Sequence, residues 1–154
     1  LLDRVLQIEL TDTLREKLGK AYSPGVGSNL SRTFRGYGVL MMRASVDVKE
    51  VSATRAAILE TLAELRDKPV SADILLRARA PMLENYDNAL KSNGGWLAFV
   101  DRAQTEADRI ERFTKARERL NAVTAERLQQ LVRQYLSMPG GLEITVLPEG
   151  VEPG

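Results

Sequence analysis

Two hydrophobic periods follow one another near the start of this chain, and together they demand a mixed fold. Leu1, Val5, Ile8, Leu10, Leu14 and Leu18 recur at mostly helical spacing, which predicts a helix over residues 2–19 with Gly19 near its C-terminal stop. From Tyr37 to Val46 the period falls to two. Gly38, Leu40, Met42, Ala44 and Val46 take one face and Val39, Met41 and Arg43 the other, the pattern of a strand with two distinct sides. The small, extended stretch from Ala21 to Ser31 supplies a partner strand, and Pro24 within it suits an edge or a strand start. Arg32-Thr-Phe-Arg35 joins the two strands in a hairpin.

Helical spacing then returns. Asp47 with Glu50 three residues on resembles a capping box, and Val51, Thr54, Ile58, Leu62 and Leu65 place a helix over about 48–66. Ser71 is a plausible N-cap for a second helix carrying Ile74, Leu75, Ala78, Met82, Tyr86 and Leu90. Pro81 falls inside that stripe, where it costs about 3 kcal/mol in an ordinary helix interior, so a kink is expected in one continuous element. Asn93-Gly-Gly reads as a hinge, followed by a short aromatic-faced helix through about Gln104 and another over Phe113 to Leu120. Thr124 caps a last helix with Leu128, Leu131, Val132 and Tyr135, and Leu142-Glu-Ile-Thr-Val-Leu147 returns as a strand. The order indicates an α+β fold, a mainly antiparallel sheet with helices packed on one face. Residues 1–148 form one domain, and 149–154 a flexible tail. Three strands are few for the apolar area of these helices, so at least one further strand is expected to precede Leu1.

Composition narrows the function classes. The 154 residues carry 22 basic against 21 acidic side chains, so no strong field recruits nucleic acid or an anionic membrane. The apolar runs are far shorter than the roughly 20 residues a membrane span needs, and a soluble protein without membrane insertion is expected. There is no His and no Cys, which removes the usual catalytic base and the commonest metal ligands. Any hydrolytic chemistry is therefore completed by another domain or chain. A bacterial periplasm and a cytoplasm both accommodate a Cys-free domain of this size.

The candidate site lies where the first helix gives way to the first strand. Arg15 and Tyr22 stand seven residues apart in Leu14-Arg-Glu-Lys-Leu-Gly-Lys-Ala-Tyr-Ser-Pro-Gly25. A planar multi-donor cation and a phenolic donor suit binding a peptide carbonyl or steadying an oxyanion. Ser23, Gly25 and Gly27 add an edge free of bulk. From Ser23 to Asn29 it is expected to accept an extended peptide by backbone pairing.

That segment and the element order resemble, over nearly the whole chain, the C-terminal half of the insulinase-like, pitrilysin-type (M16) zinc metalloproteases. The resemblance implies the metallohydrolase fold of the mitochondrial processing peptidases, built from homologous α+β halves that close round a peptide. One half carries zinc on an inverted His-x-x-Glu-His motif, which is absent here. The other has lost the metal and supplies an Arg and a Tyr spaced as Arg15 and Tyr22 are. By resemblance, Tyr22 donates to the oxyanion or substrate carbonyl and Arg15 binds substrate, while a zinc-bearing companion half supplies metal and general base. One departure is Lys20-Ala21 where a Gly is usual close before the Tyr, with Gly19 three residues upstream of Tyr22. The alternative is a catalytically inert assembly subunit of the same fold.

Other features read as structural. Gly25-Val-Gly27-Ser-Asn-Leu30 imitates a phosphate loop but follows a helix and lacks the third Gly. Arg112, Lys115, Arg117 and Arg119 are interleaved with Glu111 and Glu118 without an aromatic platform, as on a solvated helix face. Trp96 and Phe99 at helical spacing read as core.

Overall fold

The computed structural model of the chain describes residues 1–19, 24–136 and 141–151. Helix α1 (Leu2–Leu18) leads to an antiparallel hairpin, β1 (Gly25–Leu30) and β2 (Gly38–Arg43). A single 3₁₀ turn, Val48–Glu50, opens α2 (Val51–Asp67), followed by α3 (Ala72–Ala89) and α4 (Asn93–Val100). Three further helices complete the described chain, α5 (Arg109–Thr114), α6 (Ala116–Ala122) and α7 (Ala125–Tyr135). The fold is α+β, with helices against one face of the hairpin.

The core explains the layering. Val5, Leu6, Leu10 and Leu14 on α1 are all fully buried, spaced along one stripe of the helix. Val5 and Leu6 join Leu62 and Leu65 of α2, Val70, Ala78 of α3, and Leu128 and Val132 of α7 in one cluster. Val26, Leu40 and Met42 bring the inner face of the hairpin onto the same cluster. Val39 and Met41 lie on the opposite face, exposed, as the two-residue alternation requires.

Local signals place the helix ends. Gly19 closes α1 at φ 60°, its N–H donating to the Arg15 carbonyl at 3.0 Å, a left-handed cap that glycine adopts without a Cβ penalty. Ser71 Oγ accepts from the Ile74 N–H, and Thr124 Oγ1 from the Arg127 N–H, both at 3.2 Å. Pro81 lies on the exposed side of α3, which continues through it as one helix.

Three expectations are corrected. Asn93-Gly-Gly is the first turn of α4 instead of a hinge, with Ser92 Oγ accepting from the Gly95 N–H at 3.0 Å. Gly95 is required by packing, because a Cβ there would stand 1.8 Å from the Ala89 carbonyl oxygen. The helix expected over 113–120 is two short ones, α5 and α6, separated at Lys115. Leu142 to Leu147 forms no strand. Leu142, Ile144 and Val146 are 88, 75 and 88% exposed, and among the described residues no strand lies beside them to complete a ladder. A strand exists only through pairing, and alternation without a partner leaves an extended segment.

Aromatic side chains form a second cluster: Phe99 stacks on Phe113 with centroids 4.2 Å apart, and Tyr86 meets Phe113 at 5.2 Å. Phe99 is core as expected, whereas Trp96 is half exposed and anchors α4 through its indole N–H to the Leu90 carbonyl at 2.9 Å.

Glu9 on α1 is half-buried, and that burial, reinforced by Asp12 and Glu64 against a smaller opposing pull from Arg77, holds its carboxyl above the ordinary value of 4.5. The native state therefore binds this proton more tightly than the unfolded chain. Its contribution is most favourable below pH 4.5 and is lost as pH rises through the raised value. Glu9→Gln is expected to raise the melting temperature at neutral pH, and thermal unfolding in acid should show that gain disappear.

Candidate functional site

The candidate site is the junction of α1 with β1. Arg15 occupies the last turn of α1, its side chain exposed and its carbonyl engaged by the Gly19 cap. Tyr22 and Ser23 lie outside the described residues. Pro24, where the description resumes, is buried. The helix that carries Arg15 and the first residues of β1 are thus packed together.

The ladder register shows what β1 presents. Gly25 pairs with Arg43, Val26 with Met42, Gly27 with Met41 and Ser28 with Leu40. The Ser31 N–H donates to the Tyr37 carbonyl at 2.9 Å, which makes this a hydrogen-bonded pair in the continuing register. Odd-numbered β1 residues therefore bond β2, and the backbone groups of Pro24, Val26, Ser28 and Leu30 point to the outer edge. At the entrance that edge is occupied: Gln7 Oε1 accepts from the Val26 N–H at 2.8 Å, and Gln7 Nε2 donates to the Pro24 carbonyl at 2.6 Å.

The two glycines differ. A Cβ on Gly25 would meet Arg43 Nε at 2.7 Å and Cγ at 3.1 Å, because the Arg43 side chain folds over that position. Gly27 has open space where a Cβ would project. The outer face of the hairpin is accordingly a low strip on β1 beside Met41 and Arg43 on β2. Arg43 brings a guanidinium to the beginning of β1. Alternation assigns Arg43 to the outer face, but only the register sets it opposite Gly25. Gln7 gives no sequence signal, since a polar residue between apolar ones on a helix is ordinary.

The cations of the 112–119 run are paired with carboxylates. Arg112 meets Glu106 at 2.5 Å, Lys115 meets Glu111 at 3.0 Å, and Arg117 bonds Asp87. With no His or Cys in the sequence, only carboxylates remain, and no three of them converge on a metal position among the described residues. No helix among these residues is long and apolar enough to cross a membrane.

No curated protein and no solved structure matches the chain. Residues 1–82 match the family described as peptidase M16 inactive domain, and this match contains α1, the hairpin, α2 and the junction bearing Arg15. It covers more than half of the 154 residues, and the chain belongs to the peptidase M16 inactive-domain family.

Proposed function

We propose that this domain is the metal-free half of an M16-type zinc endopeptidase, closing over a peptide held by a zinc-bearing companion half. The observation that carries this reading is the family match across the α1–β1 junction. Placement of Arg15 as an exposed side chain in the last turn of α1, the helix that precedes β1 in the chain, supports it. Metal and general base are assigned to the companion, because the sequence offers no His or Cys.

In this reading Arg15 binds a substrate carbonyl or carboxylate and Tyr22 donates to the developing oxyanion, whereas Gly25 and Gly27 spend their backbone groups on β2 and are not the residues that pair with a peptide. Gln7 closes the outer edge at Pro24 and Val26, so peptide pairing on β1 would begin at Ser28. An exposed guanidinium is well suited to the Arg15 role, because it presents several donors in one plane without displacing a core group.

Arg15→Ala in the assembled protease is expected to lower kcat/KM about 10- to 100-fold, the range for losing a hydrogen bond to a charged group. Most of that loss should appear in KM, since the ground-state complex already uses the contact. Steady-state kinetics with a peptide substrate would measure it, and an unchanged KM with unchanged kcat would remove Arg15 from the site.

A further inference from the structure

The second strand of the hairpin has an open edge. Odd-numbered residues of β2 bond β1 in the register given above, so the N–H and C=O groups of Leu40 and Met42 point the other way. Among the described residues the sheet ends there, with two strands, and no backbone bond leaves the hairpin from either residue. Such an edge is a template for another strand unless it is covered, bulged or charged. Between Gly38 and Met42 neither a proline nor a charge guards it.

The same chain carries an unused strand. Leu142, Ile144 and Val146 project their side chains into solvent, with no ladder beside them among the described residues. Glu143 ties this segment to α2, both of its carboxylate oxygens accepting from Arg55 Nε at 2.8 Å. Both side chains of that ion pair are about half exposed, and a surface pair of this kind holds a segment only weakly.

Edge and segment fit each other in one antiparallel register. Setting Glu143 opposite Arg43 brings Ile144 to Met42, Thr145 to Met41, Val146 to Leu40 and Leu147 to Val39. Ile144 and Val146 then continue the inner face, where Leu40 and Met42 meet the core, while Glu143 meets a cation on the outer face. The pairs Met42–Ile144 and Leu40–Val146 are the hydrogen-bonded ones, so they use the open groups of β2. Pro148, which has no N–H to give, falls opposite Gly38, where β2 begins. A slip of one residue would turn Ile144 and Val146 to solvent and Glu143 toward the core.

We propose that this fit is made between two copies of the chain, the segment 142–147 of each adding to the β2 edge of the other. Within one chain the two parts stay unpaired, although covalent linkage gives them a high effective concentration, which is without effect only where geometry forbids the meeting. A second copy removes that constraint. The exchange is isologous: the same edge and the same segment serve on both sides, and two-fold symmetry closes it. Glu143 leaves Arg55 of its own chain for Arg43 of the partner copy. The β1 edge from Ser28 onward stays open, so the inference is independent of the peptidase reading.

The test is the molar mass of the full 154-residue chain in solution, followed across a concentration series by sedimentation equilibrium. Wild type should shift from monomer to dimer as concentration rises. Arg43→Glu alone and Glu143→Arg alone should each weaken the dimer about 10- to 100-fold, because each homodimer then holds two like-charge pairs. An equal mixture of these two variants should regain the wild-type dimer, since both pairs of the mixed dimer join opposite charges. Ile144→Pro deletes a ladder donor at a position exposed in the single chain, and should leave a monomer with unchanged melting temperature. A wild type that stays monomeric at every concentration, single reversals that dimerise as wild type does, or a mixture without recovery would each overturn the inference. Recovery only when both reversals lie in one chain would assign the pairing to the chain's own segment, and would overturn it too.

Discussion

Leu10→Ala is expected to destabilise the domain by about 2–5 kcal/mol, the range for emptying a fully buried leucine site. Leu10 is 0% exposed, and it forms a cluster with Leu14 and with Ala57 of α2, against which Val26 of β1 packs. One side chain therefore joins three elements, and its removal leaves a cavity that neither α2 nor the hairpin can close without abandoning other contacts. Because domains of this kind are stable by only about 5–15 kcal/mol, the loss is a large share of the total. Denaturant unfolding should show a lower midpoint with the slope preserved. The effect would reach the site as well, since the surface that Leu10 fills is the one on which β1 lies. A midpoint within experimental error of wild type would mean that the α1–α2–β1 packing does not hold the junction.

Tyr22→Phe is expected to lower turnover about 10²–10³-fold, the cost of removing one preorganised donor to a developing oxyanion. The ring is kept and only the hydroxyl is lost, so packing and stability should be nearly unchanged. KM should stay close to wild type, because the donor acts on charge present in the transition state and absent from the bound substrate. Kinetics of the assembled protease would show this as a fall in kcat alone. A rise in KM with kcat intact would assign Tyr22 to substrate binding, and no change in either would remove it from the reaction.

What the sequence made legible was whatever a few neighbouring residues decide. The apolar stripe of α1, the alternation of β2, the Gly19 stop and the Ser71 and Thr124 caps each depend on spacing within one or two turns, and each was readable. Features set by distant chain were not. Leu142, Ile144 and Val146 alternate as a strand would, yet no strand lies beside them among the described residues. Gly94 and Gly95 look like a flexible joint in sequence, whereas the approach of Ala89 makes Gly95 a packing requirement. The candidate site divides in the same way. Arg15 was legible from the helix end and the family resemblance, and Gly25 from its smallness. Gln7 became visible only when its amide was found at the edge groups of Pro24 and Val26, and Arg43 only when the register set it over Gly25.

The central claim is that the active site is divided between this domain and a zinc-bearing half. Peptide hydrolysis with zinc, measured for this domain alone, for the companion alone and for the two together or fused, tests it most directly. The divided site predicts activity only in the combination. Full activity from the companion alone, with no gain on demonstrated association with this domain, would contradict it and leave the domain as scaffold.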